Sequence, residues 1–144
     1  MVTEQKWILF PVCGQVLLTF VVFISLLITR IGVIKKKRVN PQELADEKRS
    51  ETILKNVVNP SDNFENLFEL PVLFYVATGW IYVLGICDLA YLTLAWLFVI
   101  FRVIHSIIHC TYNKIMHRFY AFTVSSTILW VIWIRLALSI IARP

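Results

Sequence analysis

Glycine, cysteine and histidine are scarce in this 144-residue sequence, which holds four, three and three of them. It contains neither a glycine-rich phosphate loop nor a Gly-x-Ser-x-Gly turn, which excludes the functions that depend on those motifs. The cysteines lie in or beside apolar segments and indicate neither a disulfide framework nor a metal cluster. Apolar residues, in contrast, make up 58% of the chain, and the mean hydropathy is +0.73. The chain is too apolar for an ordinary soluble domain.

Four long apolar stretches account for most of the chain, and each approaches the roughly 20 residues that cross a bilayer as a helix. The first has no small-residue cleavage site, so we expect a retained helix and not a signal peptide. The sequence predicts an all-α integral membrane four-helix bundle, up-down-up-down, forming one domain over residues 1–144. The helices are expected at about 7–34, 61–87, 89–112 and 117–142, with a loop at 35–60. The stretches are Trp7 to Thr29, Leu70 to Cys87, Leu89 to Thr111 and Phe119 to Ala142.

Positive charge is concentrated in the loop that follows the first stretch. Residues 35–55 hold seven of the fourteen Lys and Arg side chains, against four acidic ones, and begin with the basic run at residues 35–38. By the positive-inside rule this loop is cytoplasmic and both termini lie outside, although Arg143 at the outer C-terminus opposes that orientation. The basic run favours contact with anionic lipids, or forms part of a gate for an anionic ligand. This placement of charge argues against nucleic acid as the partner.

Turn and helix-breaking signals divide the rest of the chain. Asn40-Pro41 predicts a turn, and residues 43–54 have the pattern of a short surface helix. The second membrane helix is expected to begin near Pro60, with Ser61 or Asp62 as its N-cap. Pro71 lies inside that helix, where we expect a kink because proline removes one backbone hydrogen bond.

Polar side chains recur at helical spacing on three of the four predicted helices. On a helical wheel, those of the third helix share an arc of about 100°. Ionisable groups at membrane depth cost roughly 3 kcal/mol or more each unless paired or hydrated. We therefore expect the three stripes to face one another around a hydrated cavity near the cytoplasmic ends, with Glu69 paired to Arg102. The stripes are Asp62, Glu65, Asn66 and Glu69 in the second helix, Arg102, His105, His109, Tyr112 and Asn113 in the third, and Arg118, Phe122 and Ser125 in the fourth.

This polar cluster is open to three interpretations. Its members could be structural ion pairs and interfacial anchors. His105 and His109, at i and i+4, have the spacing of metal ligands, but membrane di-iron oxidases need many more histidines than three, so we predict no metal site. The cluster also holds more hydrogen-bond donors than ion pairs require, and this excess favours an anionic ligand.

Two segments of the chain resemble a known family. The first is Asp62-Asn-Phe-Glu-Asn-Leu-Phe-Glu-Leu-Pro71, which contains Asn66-x-x-Glu69 shortly before a proline; the second is Arg102-x-x-His105-x-x-x-His109-x-x-x-Asn113-x-x-x-x-Arg118. Both resemble the MAPEG family, the membrane-associated proteins of eicosanoid and glutathione metabolism, and in particular its bacterial-type members. The basic run followed by Asn40-Pro41 is a weaker third match.

The resemblance implies a homotrimer of four-helix protomers in a bacterial inner membrane. It implies glutathione bound between neighbouring subunits near the cytoplasmic side, beside a lipid-facing cleft for an apolar substrate. Arg118 would be the catalytic residue, because a guanidinium favours the thiolate form of a thiol whose pKa is ~8.5. His109 stands where relatives often have tyrosine. The cofactor-binding residues implied are Arg102, His105, His109, Asn113, Asn66, Glu69 and Tyr112.

Two positions depart from the pattern of the family. Asp62 lies four residues before Asn66, where many glutathione-using members have an arginine that would meet a carboxylate of the tripeptide. Phe122 lies where an aromatic hydroxyl is expected. Two functions therefore remain open. One is a glutathione-dependent membrane transferase or peroxidase acting on hydrophobic electrophiles or lipid hydroperoxides; the other is a non-catalytic lipid-binding or scaffold protein of the same fold.

Overall fold

The computed structural model of the protein describes residues 5–38, 40, 46 and 58–142. A turn of 3-10 helix at Gln5–Ile8 precedes five α-helices, and the described residues contain no β-strand. In this part of the chain, four helical stretches are long and apolar enough to cross a membrane: Gln5–Lys37, Pro60–Val83, Leu89–Cys110 and Ile115–Ile141. The predicted all-α membrane fold is confirmed. The helices are α1 (Leu9–Lys37), α2 (Val58–Asn66), α3 (Leu70–Val83), α4 (Leu89–Cys110) and α5 (Ile115–Ile141).

Several predictions concern residues outside those ranges. Pro41 of the predicted Asn40-Pro41 turn lies outside the described residues. So does the predicted surface helix at residues 43–54, apart from Asp46, and so does Arg143.

Helix α1 is the most peripheral helix of the bundle. Together with the preceding 3-10 turn it forms the first membrane stretch, which spans 33 residues. This length corresponds to about 50 Å and exceeds the hydrocarbon thickness of about 30 Å. The helix ends at Arg38, which has a φ of 52° and donates its backbone N–H to the Ile34 and Lys35 carbonyls. Three lysines occupy the last turn, beside the negative end of the helix dipole. The buried side of α1 is narrow and consists of Pro11, Gln15, Val22 and Leu26.

The second membrane stretch is two helices and not one. Helix α2 ends at Asn66, and α3 begins at Leu70 with Pro71 in its first turn. Proline fits there because the first N–H groups of a helix lack internal acceptors. The break falls where we predicted a kink. Helix α2 begins at Val58, so the prediction of an N-cap at Ser61 or Asp62 is wrong, and Pro60 lies in the first turn.

The connection between α3 and α4 is short and is shaped by two residues. Gly85 has a φ of 67°, a left-handed conformation that glycine adopts without steric cost. Asp88 is the N-cap of α4, and its Oδ1 accepts the Tyr91 backbone N–H at 2.9 Å. Helix α3 ends at Val83, whereas residues 61–87 were predicted as helix, because these turn residues take up the end of that stretch.

Asp88 also forms an ion pair with Arg135 of α5. Both terminal nitrogens of the guanidinium contact the carboxylate, Nη1 with Oδ1 at 2.7 Å and Nη2 with Oδ2. The guanidinium carbon lies 4.0 Å from the centroid of the Tyr91 ring. Hydrogen bonds from Arg135 hold the pKa of Asp88 at about 2, well below its usual range. This pair fastens the start of α4 to the last third of α5.

The core lies between α3, α4 and α5, with α1 laid against them. Phe74 of α3 stacks on Phe98 of α4 at a centroid distance of 4.5 Å. Helix α4 is the most enclosed helix, and its buried face changes character along its length. The first half of that face is apolar and the second half is polar except for Ile108; its members are Tyr91, Ala95, Phe98, Val99, Arg102, His105, Ser106, Ile108 and His109. The fold therefore places a set of buried polar side chains at one end of the bundle.

Candidate functional site

The site begins with the polar half of the buried face of α4. Arg102, His105 and His109 have exposed fractions of 0%, 2% and 1%. Spacings of three and four residues put them on one side of the helix. The start of α5 and the end of α2 pack against that side. The spacing along α4 therefore determines which of its side chains face these two helices.

Arg118, in the first turn of α5, is held by two partners. Its Nη1 lies 3.0 Å from His109 Nε2 and 3.1 Å from Asn113 Oδ1. A guanidinium only donates hydrogen bonds, so His109 Nε2 is the acceptor and the ring is neutral, with its proton on Nδ1. Three further N–H groups, on Nε and Nη2, belong to the same half-buried guanidinium. Arg118 is thus a fixed cation that still has donors to offer.

His105 of α4 is oriented by the backbone of α5. Its Nδ1 lies 3.2 Å from the Arg118 carbonyl oxygen, an acceptor, so Nδ1 carries the proton. Its Nε2 is buried and has no hydrogen-bond partner among the described residues. The two histidine rings meet edge to face at 5.6 Å. The pair therefore positions Arg118 from two directions, one histidine accepting from its side chain and the other donating to its carbonyl.

A cleft of about 210 Å³ opens beside this cluster. Asn66 of α2 forms one wall, and its amide nitrogen donates to the Asp62 carbonyl at 2.8 Å. The cleft combines a cation, an imidazole and an amide with aromatic and aliphatic surface, which suits a ligand that is polar at one end and apolar at the other. Its lining residues are Asn66, His105, Ile115, Arg118, Phe119 and Phe122.

Arg102 lies behind this cleft and does not line it. Its guanidinium carbon is 5.4 Å from the Phe98 ring centroid and 5.1 Å from that of Phe122. Within the described chain, none of its three side-chain nitrogens has a hydrogen-bond partner. The predicted pairing with Glu69 is wrong. Glu69 is exposed in the break between α2 and α3 and acts on Arg102 only through space.

The scan against family models gives the decisive comparison. The model of the MAPEG family matches residues 8–138. The chain belongs to the MAPEG family. Neither the search of curated proteins nor the search of solved structures gave a match. The family includes glutathione-dependent transferases and peroxidases together with other members. The matched range contains the whole cleft and the buried arginine behind it.

Tyr112 was predicted to share the site and does not reach it in this MAPEG protomer. It is 59% exposed, and its hydroxyl lies 3.2 Å from His117 Nδ1. The helical wheel fails there because α4 ends at Cys110. Asn113 reaches Arg118 through the turn, with a φ of 45° and its N–H donated to the Ile108 carbonyl at 2.8 Å. Asp62 and Glu65 are exposed.

The sequence interpretation missed a buried polar link between α2 and α4. Asn63 is fully buried; its amide nitrogen lies 3.4 Å from Cys110 Sγ, and its Oδ1 accepts from the Ser106 hydroxyl at 3.3 Å. Ser106 and Cys110 are one turn apart, beside His105 and His109, and this spacing was a usable signal. The link fixes α2 against α4 where Asn66 enters the cleft.

Gln15 of α1 was also missed. It is fully buried, and neither atom of its amide has a hydrogen-bond partner in the described chain. It is the only amide side chain between Trp7 and Thr29, which was the signal available in the sequence. Among the described residues, no group of three or more His, Cys, Asp or Glu side chains could hold a metal ion.

Proposed function

We propose that the protein is a glutathione-dependent membrane transferase or peroxidase that acts on hydrophobic electrophiles or lipid hydroperoxides. Membership of the MAPEG family supports the class of activity. The observation that carries the proposal is Arg118, whose guanidinium is fixed by His109 and Asn113 beside a cleft with apolar walls. A preorganised cation next to a reacting thiol is the device that this chemistry requires.

The proposed reaction begins with ionisation of the thiol. Its pKa of ~8.5 leaves it mostly protonated at neutral pH, and the charge of Arg118 favours the thiolate. In transfer, the thiolate forms a carbon–sulfur bond and expels the leaving group, while the thiol proton passes to water. In peroxide reduction, two glutathione molecules and one hydroperoxide give an alcohol, water and glutathione disulfide. His105 and Asn66, which also line the cleft, would hold the peptide.

The proposal includes a homotrimer with glutathione between neighbouring subunits. Glu69 and Tyr112 are exposed on the protomer, and in a trimer they would contact ligand bound to a neighbouring subunit. It also includes the orientation with the basic loop in the cytoplasm and both termini outside, in a bacterial inner membrane. Lys35, Lys36 and Lys37 in the last turn of α1 support that orientation.

Replacement of Arg118 tests the proposal. We expect Arg118→Ala to lower kcat/KM for conjugation of glutathione to an activated aryl chloride by about 100-fold, because one preorganised charge is lost. Lys114→Ala is the matched control, since it removes an exposed cation four residues away, and it should keep wild-type rates. Equal rates for Arg118→Ala and the wild type would refute the assigned role.

A second cleft favours the alternative of a lipid-binding or scaffold protein. This cleft of about 370 Å³ lies between α1 and the α2–α3 segment and is almost entirely apolar, which suits an acyl chain. Co-purified lipid in native mass spectra, without thermal stabilisation by millimolar glutathione, would support this alternative over the enzyme. Its lining residues are Val16, Thr19, Phe20, Phe23, Phe64, Phe68 and Tyr75.

A further inference from the structure

Arg102 carries a buried charge whose surroundings are aromatic. The residue is 0% exposed, and the rings of Phe98 and Phe122 lie on the guanidinium at 5.4 and 5.1 Å. Its side-chain nitrogens donate no hydrogen bond within the described residues. Aromatic faces attract a cation, but they leave its N–H donors without acceptors. Arg102 therefore has five N–H groups suited to a bidentate anion.

The two rings differ in what lies behind them. Phe98 is fully buried and stacks on Phe74 in the core. Phe122 is partly exposed and lines the cleft, and its ring is also 5.9 Å from that of His105. Phe122 is thus the wall shared by the cleft and the guanidinium of Arg102. Phe98, the other ring on Arg102, lies between the guanidinium and the core and does not face the cleft.

The two arginines lie at successive depths in the bundle. Phe122 follows Arg118 by four residues on α5, about one helical turn or 5–6 Å further from the α4–α5 connection. Arg118 bonds to the side chain of Asn113 in that connection, whereas Arg102 lies at the level of Phe122. A ligand that extends inward from Arg118 therefore meets the Phe122 ring before it meets Arg102.

We propose that the side chain of Phe122 is a gate between the cleft and a second anion-binding position at Arg102. With the ring over the guanidinium, the cleft offers one cation, that of Arg118. When the ring rotates away, a second anionic group of an elongated ligand reaches the N–H groups of Arg102. Phe122 thereby selects ligands with two separated anionic groups. Only in such ligands does the second anion, by binding Arg102, replace the favourable contact between the ring and the guanidinium that is lost when the ring moves. The choice of glutathione as that ligand rests on the proposed function; the gate does not.

The first experiment measures access to Arg102 without any ligand. Purified protein is treated with 2,3-butanedione, which modifies arginine, and the modification rate at each arginine is followed by mass spectrometry. We expect Arg102 to be protected in the wild type and in Phe122→Tyr, and to react at least tenfold faster in Phe122→Leu. Phe98→Leu is the matched control because it removes the other ring without opening the cleft, and it should keep Arg102 protected.

Two results would overturn the gate. One is wild-type modification of Arg102 as fast as that of the half-buried Arg118. The other is equal reactivity of Arg102 in Phe122→Leu and Phe98→Leu. A melting temperature near that of the wild type in both variants ensures that the comparison is made between folded proteins.

The second experiment measures ligand selection by calorimetry. We expect Phe122→Leu to lower the Kd for glutathione about fivefold, because binding no longer has to displace the ring. The Kd for glutathione diethyl ester, whose carboxylates are masked, should stay within twofold of the wild-type value. Arg102→Gln added to Phe122→Leu should abolish the gain. A gain that survives Arg102→Gln would exclude Arg102 as the second position.

Failure of the gate and failure of the proposed function are distinguishable. If wild-type protein binds no glutathione but the butanedione pattern is as expected, the gate stands and the ligand is a different elongated dianion. If glutathione binds and Arg102 is equally reactive in all variants, the gate is wrong and the enzymatic proposal is unaffected.

Discussion

At the scale of single residues, the site depends on how two histidines share one arginine. His109 accepts from the Arg118 side chain, and His105 donates to the Arg118 carbonyl. Opposite ring nitrogens carry out these roles, so each contact fixes a tautomer. The arginine is then positioned before any ligand arrives, which is the condition under which a charge contributes most to a transition state.

Replacement of His109 should separate positioning from folding. His109→Leu removes the acceptor for Arg118 Nη1, and we expect kcat for glutathione conjugation to fall about tenfold while KM for the electrophile stays unchanged. His109→Gln restores an acceptor of similar reach and should recover most of the activity. His117→Leu, on an exposed ring outside the cleft, is the matched control. Equal losses in His109→Leu and His109→Gln would show that acceptance by His109 is unimportant.

At this scale the residue types were predictable and their partners were not. Spacing on one helix identified Arg102, His105 and His109 as neighbours, because the helical period is fixed. It could not show that Phe98 and Phe122 enclose Arg102, since that depends on how α5 packs on α4. The predicted partner, Glu69, is instead turned outward by the break after α2.

At the scale of helices, the apolar runs predicted the spans and the ends escaped prediction. Hydropathy is a sum over about 20 residues and tolerates local exceptions. Helix ends depend on single residues, and at three places the observed helix end differs from the predicted pattern. Gly85 ends the second stretch early, the end of α4 at Cys110 leaves Tyr112 away from the cleft of the protomer, and α2 starts ahead of Ser61.

The ion pair between Asp88 and Arg135 should make the packing of α4 on α5 sensitive to acid. The pKa of Asp88 is about 2 in the folded protein and near 3.9 in an unfolded chain. A lowered pKa adds stability that is complete above about pH 4 and is lost as the pH falls towards 2. The Asp88 side chain is 45% exposed, so we expect a contribution below about 1 kcal/mol.

This acid sensitivity is measured by unfolding wild type and Asp88→Asn in mixed micelles at several values between pH 5 and pH 2. The difference in unfolding free energy between them should shrink as the pH falls. A difference for Asp88→Asn that stays constant over this range would refute the role of the pair.

At the scale of the whole molecule, the helices differ widely in how much of their surface they bury in the protomer. In the most apolar window of each membrane stretch, 11% of the residues are buried for Gln5–Lys37 and 44% for Leu89–Cys110. An unequal distribution of this kind leaves large apolar faces for lipid or for neighbouring subunits. It agrees with the proposed homotrimer.

Native mass spectrometry tests the subunit number. For protein released from nanodiscs we expect a mass of about 50 kDa, three times the 16.8 kDa chain, plus bound lipid. The mass should not change when the protein is diluted tenfold before measurement, because a stable subunit interface does not depend on a high protein concentration. A species of one or two chains that persists at all concentrations would contradict the trimer.

The aromatic enclosure of Arg102 also has a long-range consequence. Dissolved ions screen charges on a surface within about 10 Å at 0.1 M salt, but they cannot enter the space between the two rings. We therefore expect the attraction of this buried charge for anions to fall less with added salt than that of an exposed charge. The lysines of α1, which are exposed, lose most of their influence under the same conditions. At high salt, anions would thus be attracted mainly by the buried Arg102 and no longer by the exposed lysines at the end of α1.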